Sequence, residues 1–180
     1  MRLTKDFYCR DVLEVAPDLL GKILVRKTLL SSFSFIITEV EAYRGEEDDA
    51  CHARFGMTRR NHIMYESGGL AYIYLVYGMH WMFNIVTGLA GFPQAVLIRG
   101  IEGYNGPGRL TRAIEINKSI YGEDLTKSDR LWLEDRSLKP HYLQLSRVGI
   151  SYASEPWRSM PWRFILIQEH TGPDFSSLPS

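Results

Sequence analysis

The stretch LAYIYLVYGMHWMFNIV, residues 70–86, decides how the rest of the chain is to be read. It carries no Asp, Glu, Lys or Arg and is rich in aromatic and β-branched residues, which suit a pleated, half-buried surface. Two β-rich runs, residues 70–76 and 81–86, flank Tyr77-Gly78-Met79-His80, where the glycine can take the positive φ of a tight reversal. A β-hairpin with an aromatic at its bend is predicted. Alternation sends Tyr72 and Tyr74 to one face and Ile73 and Leu75 to the other, and leaves Asn84 as a lone amide that needs partners in an apolar strand. The same pattern also suits an ordinary core hairpin, because aromatics dominate ordinary cores.

Upstream, residues 22–30 and 33–43 are rich in Ile, Val, Leu, Phe and Thr and break at Ser31-Ser32, the pattern of an antiparallel pair. The second run ends in Thr38-Glu39-Val40-Glu41-Ala42-Tyr43, where alternation puts Glu39, Glu41 and Tyr43 on one face. That is either carboxylates beside an aromatic site or an exposed polar face with one tyrosine. Residues 16–21 read as a short helix, with Pro17 near its start and Gly21 closing it. Residues 44–63, which include His52, form a charged, glycine-containing loop long enough to favour function over passive connection. Downstream, residues 94–98 read as a strand ending at Arg99. Gly106-Pro107-Gly108-Arg109 opens a helix with Leu110, Ala113, Ile114 and Asn117 on one face and Gly122 as its stop. That helix start and Arg109 offer a seat for phosphate. Short strands are expected at 130–133, 147–152 and 161–166, and a frayed tail at 170–180.

A chain of 180 residues with 45% hydrophobic content suits one domain with one core. No unbroken apolar run reaches the roughly 20 residues of a membrane span, and no signal-peptide pattern follows Met1, so a cytoplasmic or nuclear protein is expected. Cys9 and Cys51, without a Cys-x-x-Cys, support neither a disulfide framework nor a thiolate zinc site. The formal net charge of zero excludes a broadly basic nucleic-acid coat. Locally, Arg54, Arg59, Arg60, His52 and His62 lie in residues 51–65 with no acid among them, and Arg109, Arg112 and Lys118 form a second basic patch. Both permit phosphate contacts.

Taken together, Glu39-Val40-Glu41-Ala42-Tyr43, Arg59-Arg60-Asn61, Tyr72-Ile73-Tyr74-Leu75-Val76-Tyr77-Gly78-Met79, Asn84, the strand ending in Arg99 and Gly106-Pro107-Gly108-Arg109-Leu110 resemble the alkyladenine (N-methylpurine, 3-methyladenine) DNA glycosylase family. Order and spacing agree from about residue 11 to residue 164. The resemblance implies a single mixed α/β (α+β) domain, with a curved antiparallel sheet, surrounding helices and a protruding hairpin that enters the minor groove. It implies that Tyr77 wedges into the duplex where a damaged nucleotide is flipped out, and that Tyr43, His52 and Tyr74 hold the flipped base. It assigns Glu41 as general base, Arg99 as the residue that positions its water, Asn84 as the amide that crowds out the amino group of normal guanine, and Leu97 and Met79 as further lining. Arg59, Arg60 and Arg109 are then the expected DNA-backbone contacts. The chain departs from the family pattern at Phe55 and Met57, where residues are usually small or polar, and over residues 135–142.

The implied activity is monofunctional: extrusion of an alkylated or deaminated purine from damaged double-stranded DNA and hydrolysis of its N-glycosidic bond by an activated water, the opening step of base excision repair. An enclosed aromatic slot would favour a cationic methylpurine through cation–π attraction, and a carboxylate suits an oxocarbenium-like transition state. A monomer with no metal, no other cofactor and no membrane partner is expected. No lysine lies between Tyr43 and Asn84, which disfavours an amine nucleophile. Two other classes stay open on the residues alone. One is a metal-dependent phosphoesterase using Glu39, Glu41, Asp48 or Asp49 and His52, which EDTA would inactivate. The other is a non-catalytic module that stacks bases on Tyr72 and Tyr74 and would bind single strands regardless of damage.

Overall fold

In the computed structural model, which describes residues 1–137 and 140–167, the chain begins with α1 (Lys5–Tyr8) and α2 (Val12–Leu19). The strands β1 (Ile23–Lys27), β2 (Ser32–Arg44), β3 (Ala71–Val76), β4 (His80–Thr87), β5 (Gln94–Ile101) and β6 (Tyr104–Asn105) follow. Helix α3 (Pro107–Ala113) precedes β7 (Leu131–Glu134), β8 (Tyr142–Leu145) and β9 (Arg163–Leu166). The strands form one curled antiparallel sheet in the order β3-β4-β5-β2-β1-β7, with β6 on β5 and the β8-β9 pair on β2. This is the mixed α/β domain with a protruding hairpin that the sequence resemblance implies.

Strand β2 is long enough to serve two neighbourhoods. Its first half pairs with β1, from Ser32 opposite Lys27 to Ile36 opposite Ile23, and its second half lies between β5 and β9. Alternation divides that second half cleanly. Val40 and Ala42 are buried in the main core with Ile37, Ile98 and Phe164, and α2 packs there through Val12, Val15, Ala16 and Leu19. Glu39, Glu41 and Tyr43 face the other way, toward a smaller cluster that includes Tyr72, Val86, Ala95 and Cys51. The loop after β2 closes over that second face. Two compensating irregularities sit where β2 meets β5: Thr38 is an extra residue in β2, and Arg99 is an extra residue in β5. Such bulges re-aim side chains, and here the re-aimed one is Arg99.

The hairpin forms as the alternation requires, with Tyr72 opposite Asn84, Tyr74 opposite Met82 and Val76 opposite His80. Its turn takes positive φ at both Tyr77 (51°) and Gly78 (68°), and the Met79 N–H donates to the Val76 carbonyl at 3.1 Å. Paired positive φ values match the right-handed twist of the flanking strands. Tyr77 is 88% exposed and Met79 65%, so the bend stands clear of the core.

Four local expectations are corrected. The helix expected at 16–21 starts at Val12, because the Asp11 carboxylate caps it by accepting from the Leu13 N–H at 2.9 Å. The helix opened by Pro107 stops at Ala113, since Glu115 takes a φ of 54° and Asn117 instead caps a separate 3₁₀ turn, Lys118–Ile120. Residues 147–152 are a loop and not a strand: the Val148 N–H is committed to a side chain, and β8 takes the place beside β9. The strand expected at 130–133 sits one residue later. The tail expected at 170–180 lies outside the described residues.

Gly100 has no room for a side chain, because a Cβ there would lie 2.9 Å from Thr38 Oγ1 and 3.1 Å from Glu39 Cβ. Gly100→Ala should therefore spread the bulge and lower stability by about 1–3 kcal/mol, the usual cost of overpacking. Urea denaturation reads this directly, and an unchanged midpoint would show that the bulge is not tightly specified.

Candidate active site

A single row of register partners runs across five strands: Tyr72 on β3, Asn84 on β4, Leu97 on β5, Glu41 on β2 and Arg163 on β9. Partners directly opposite in an antiparallel sheet share a face. The register thus gathers onto one surface residues that lie between 12 and 122 positions apart in the sequence. The adjacent rows add Tyr74 with Met82, and Tyr43 with Ala95 and Val86. Above this surface is a cavity of about 370 Å³, walled by Tyr43, His52, Tyr72, Tyr74, Asn84 and Leu97, with Arg99 at one side and Tyr77 at the rim.

Glu41 has no solvent exposure. Three groups that do line the cavity hold its carboxylate: the Tyr43 hydroxyl donates to Oε2 at 2.9 Å, the Val148 N–H donates to Oε1 at 2.7 Å, and Arg99 Nε lies 3.5 Å from Oε1. Burial pushes the Glu41 pKa above the ordinary carboxylate value, against the opposing pull of Arg99, the Val148 N–H and the Tyr43 hydroxyl. Arg99 is shared with Glu39, whose Oε1 it meets at 3.0 Å, and Arg163 reaches the same oxygen at 3.5 Å. Burial and the neighbouring Glu41 carboxylate raise the Tyr43 hydroxyl well above its usual pKa, so it remains a proton donor to Glu41.

His52 comes from the loop and packs its ring 4.5 Å from that of Tyr74, while its Nδ1 meets the Tyr72 hydroxyl at 2.9 Å. Desolvation, with Arg60 and Arg54 nearby, pushes its pKa down to about 4, so the imidazole is neutral at physiological pH although one side stays open to solvent. Asn84 finds the partner it needs, donating from Nδ2 to the Tyr72 carbonyl at 3.2 Å. Cys51 also lines the cavity, but burial lifts its thiol to about 12, which makes it a poor nucleophile.

The structure thus gathers Glu41, Arg99, Tyr43, His52, Tyr74, Asn84 and Leu97 at one cavity, with Tyr77 at its rim. Met79 is not among the lining residues; the turn carries it outward past the tip. Arg59 and Arg60 flank a neighbouring groove that also holds Lys118, and Arg109 is exposed at the start of α3. The acids named for a metal site are dispersed on other partners: Glu39 and Glu41 on Arg99, Asp48 on Arg147, and Asp49 on the Ser154 N–H. Among the described residues no three His, Cys, Asp or Glu side chains are grouped to hold a metal, and no helix is long and apolar enough to cross a membrane.

Sequence reasoning missed the support behind this wall. Arg147 and Asp48 form a bidentate ion pair at 2.5 and 2.8 Å, with both side chains fully enclosed. The guanidinium lies 4.8 Å from the Tyr43 ring and 5.1 Å from the Trp162 ring, and also donates to the carbonyls of Ala42 and Trp157. It therefore braces Tyr43 from behind and fixes the backbone that presents Val148 to Glu41. Tyr72 was legible as a core tyrosine, and its contact with His52 was not.

The site defines a class: an aromatic-walled cavity with a shielded carboxylate behind it and an exposed aromatic at its lip. The model of the methylpurine-DNA glycosylase family matches this chain over residues 6–105 and 103–170. Relatives named "Putative 3-methyladenine DNA glycosylase" include one from Methanocella arvoryzae, 42% identical and covering 90% of each chain. One from an Anaeromyxobacter species is 45% identical over 92% of this chain and 89% of its own. A third, from Wolbachia pipientis of Culex pipiens, is 44% identical over 90% and 88%. The chain belongs to the methylpurine-DNA glycosylase family.

Asp48→Asn should leave the Arg147 cation buried without its counter-charge and destabilise the fold by about 3–5 kcal/mol, the range for breaking a buried pair. A melting temperature within a degree or two of wild type would contradict a structural role for the pair.

Proposed function

We propose that this protein is a monofunctional DNA glycosylase that flips alkylated or deaminated purines out of damaged duplex DNA and hydrolyses the N-glycosidic bond with water. The observation that carries this reading is Glu41: a carboxylate with no solvent exposure, held by three groups of an aromatic cavity wall. A base inside a stacked duplex cannot reach such a cavity, so the nucleotide must leave the stack at a cost of a few kcal/mol. Tyr77, exposed at a turn whose conformation is set by its own backbone, is the wedge that fills the gap.

Inside, the faces of Tyr43 and Tyr74 attract a methylated purine cation, worth on the order of 2 kcal/mol when desolvated. The neutral His52 adds no repulsion. It also lacks the imidazolium proton that a general acid would need at neutral pH, so cationic lesions, which leave unaided, are the better substrates. Asn84, tied to the Tyr72 carbonyl, narrows the floor where a normal guanine would place its amino group. Leu97 supplies an apolar floor beside it. As the bond to the base breaks, Glu41 stabilises the positive sugar and draws a proton from a water oriented by Arg99. Its raised pKa makes it a stronger base than an ordinary carboxylate. Arg59, Arg60 and Arg109 supply sequence-independent phosphate contacts.

Glu41→Gln should retain binding to lesion duplex but lose excision by about a hundredfold or more, since the amide keeps the shape without the charge. Near-normal single-turnover rates would remove Glu41 from the mechanism. The pH profile gives a second check, because only ionised Glu41 is active and its pKa is raised: activity should fail as pH drops, with the acid limb above the ordinary value of 4.5. Tyr43→Phe deletes a hydrogen bond that favours the ionised form, so the limb should move to still higher pH. A limb that stays in place in kcat/KM would mean that another group titrates.

Tyr77→Ala should cost little stability, because the side chain is 88% exposed, yet reduce excision of a paired lesion more than of a mispaired one, whose unstacking is partly complete. Equal losses on both substrates with a large fall in melting temperature would return Tyr77 to a structural role.

A further inference from the structure

Beside the lesion cavity lies a second pocket of about 310 Å³, which shares Cys51, His52, Tyr72 and Tyr152 with it. Its remaining walls include Arg54, Phe55 and Arg60, and no carboxylate lines it. The Arg54 guanidinium is stacked between the rings of Phe55, at 4.7 Å, and Tyr152, at 4.9 Å, and its Nη1 donates to the Asp49 carbonyl at 2.9 Å. Arg60 lies 5.2 Å over the Tyr74 ring, with Nη2 3.4 Å from the Leu75 carbonyl. Aromatic faces and backbone carbonyls therefore orient both cations. Neither forms a salt bridge among the described residues.

A guanidinium held by two aromatic rings and a backbone carbonyl keeps its remaining N–H groups in restricted directions, which favours paired hydrogen bonds to phosphate oxygens. The pocket shares four wall residues with the cavity, so a group joined to the occupant of the cavity can reach it. We propose that this pocket is the seat of a phosphodiester group adjoining the flipped nucleotide, gripped by Arg54 and Arg60. Phe55 then has a purpose as the outer plate that fixes Arg54. His52 becomes the partition between base and phosphate compartments. The inference rests on the base-excision reading, and names the part of the substrate that the cavity leaves outside.

The test uses duplex DNA with one tetrahydrofuran abasic-site analogue, in which each neighbouring phosphate is replaced in turn by a neutral methylphosphonate. One replacement should weaken binding by wild type about tenfold, in line with a hydrogen bond to a charged group. Arg54→Gln with Arg60→Gln should lose about as much on the unmodified duplex, and the replacement should then cost nothing further. Losses that multiply, or no sensitive phosphate, would overturn the site. A readout on the wild-type protein guards against a misfolded variant: His52, pushed down to about 4 by burial first and by these two arginines in addition, should titrate higher when the unmodified duplex is bound than when the methylphosphonate duplex is. Equal midpoints would overturn the proposal, as would a shift with inorganic phosphate but none with DNA, which would mark an adventitious ion only. Excision without this coupling refutes the phosphate seat alone, whereas failure to release any base refutes the glycosylase reading with it.

Discussion

The constraint on which the structure depends is that Glu41 is ionisable and has no surface open to bulk solvent. An uncompensated carboxylate in such a place costs several kcal/mol, so the chain must bring donors to it from far away in sequence. They arrive from three directions: Tyr43 two residues along the same strand, Arg99 from the bulge in the neighbouring strand, and the Val148 N–H from a loop 107 residues downstream. Each of these also forms part of the cavity wall. The groups that make the buried charge tolerable are therefore the groups that face the cavity, and the fold cannot satisfy Glu41 without building that wall.

The loop that brings Val148 has its own anchor. Arg147 turns into the protein, pairs with Asp48 and stacks on Tyr43, so one ion pair ties the loop after β2 to the segment before β9. The hairpin is supported independently, by α3 packed on β4, where Thr111 Oγ1 donates to the Trp81 carbonyl at 2.9 Å. Strand ladders thus fix the residues of the cavity wall, while Tyr77 stands free at a turn.

Strand periodicity made much of this legible before any coordinates. Alternation alone put Tyr72 with Tyr74 and Glu39 with Glu41 and Tyr43, and both faces are realised because one-residue slips would bury the wrong side of each strand. What periodicity could not convey is which strands meet. The row from Tyr72 through Asn84 and Leu97 to Glu41 exists only in the sheet's register. The Asp48–Arg147 pair was illegible for a related reason: two charged residues 99 positions apart look like surface residues until both are seen to be enclosed. The 147–152 segment looked like a strand because its apolar residues alternate, yet its backbone and its arginine serve the site instead. The roles expected of individual site residues came from the resemblance to a family and could not be read from composition.

The central claim is that this arrangement releases a purine base and leaves the sugar–phosphate chain intact. The most direct measurement is product analysis after incubating the protein, in EDTA, with a duplex carrying a single 3-methyladenine or 7-methylguanine. Free methylated base should appear in equal amount with an abasic strand that breaks only on later alkali treatment. A strand cut without alkali, a covalent protein–DNA adduct on borohydride treatment, or no release of base from either lesion would contradict the account.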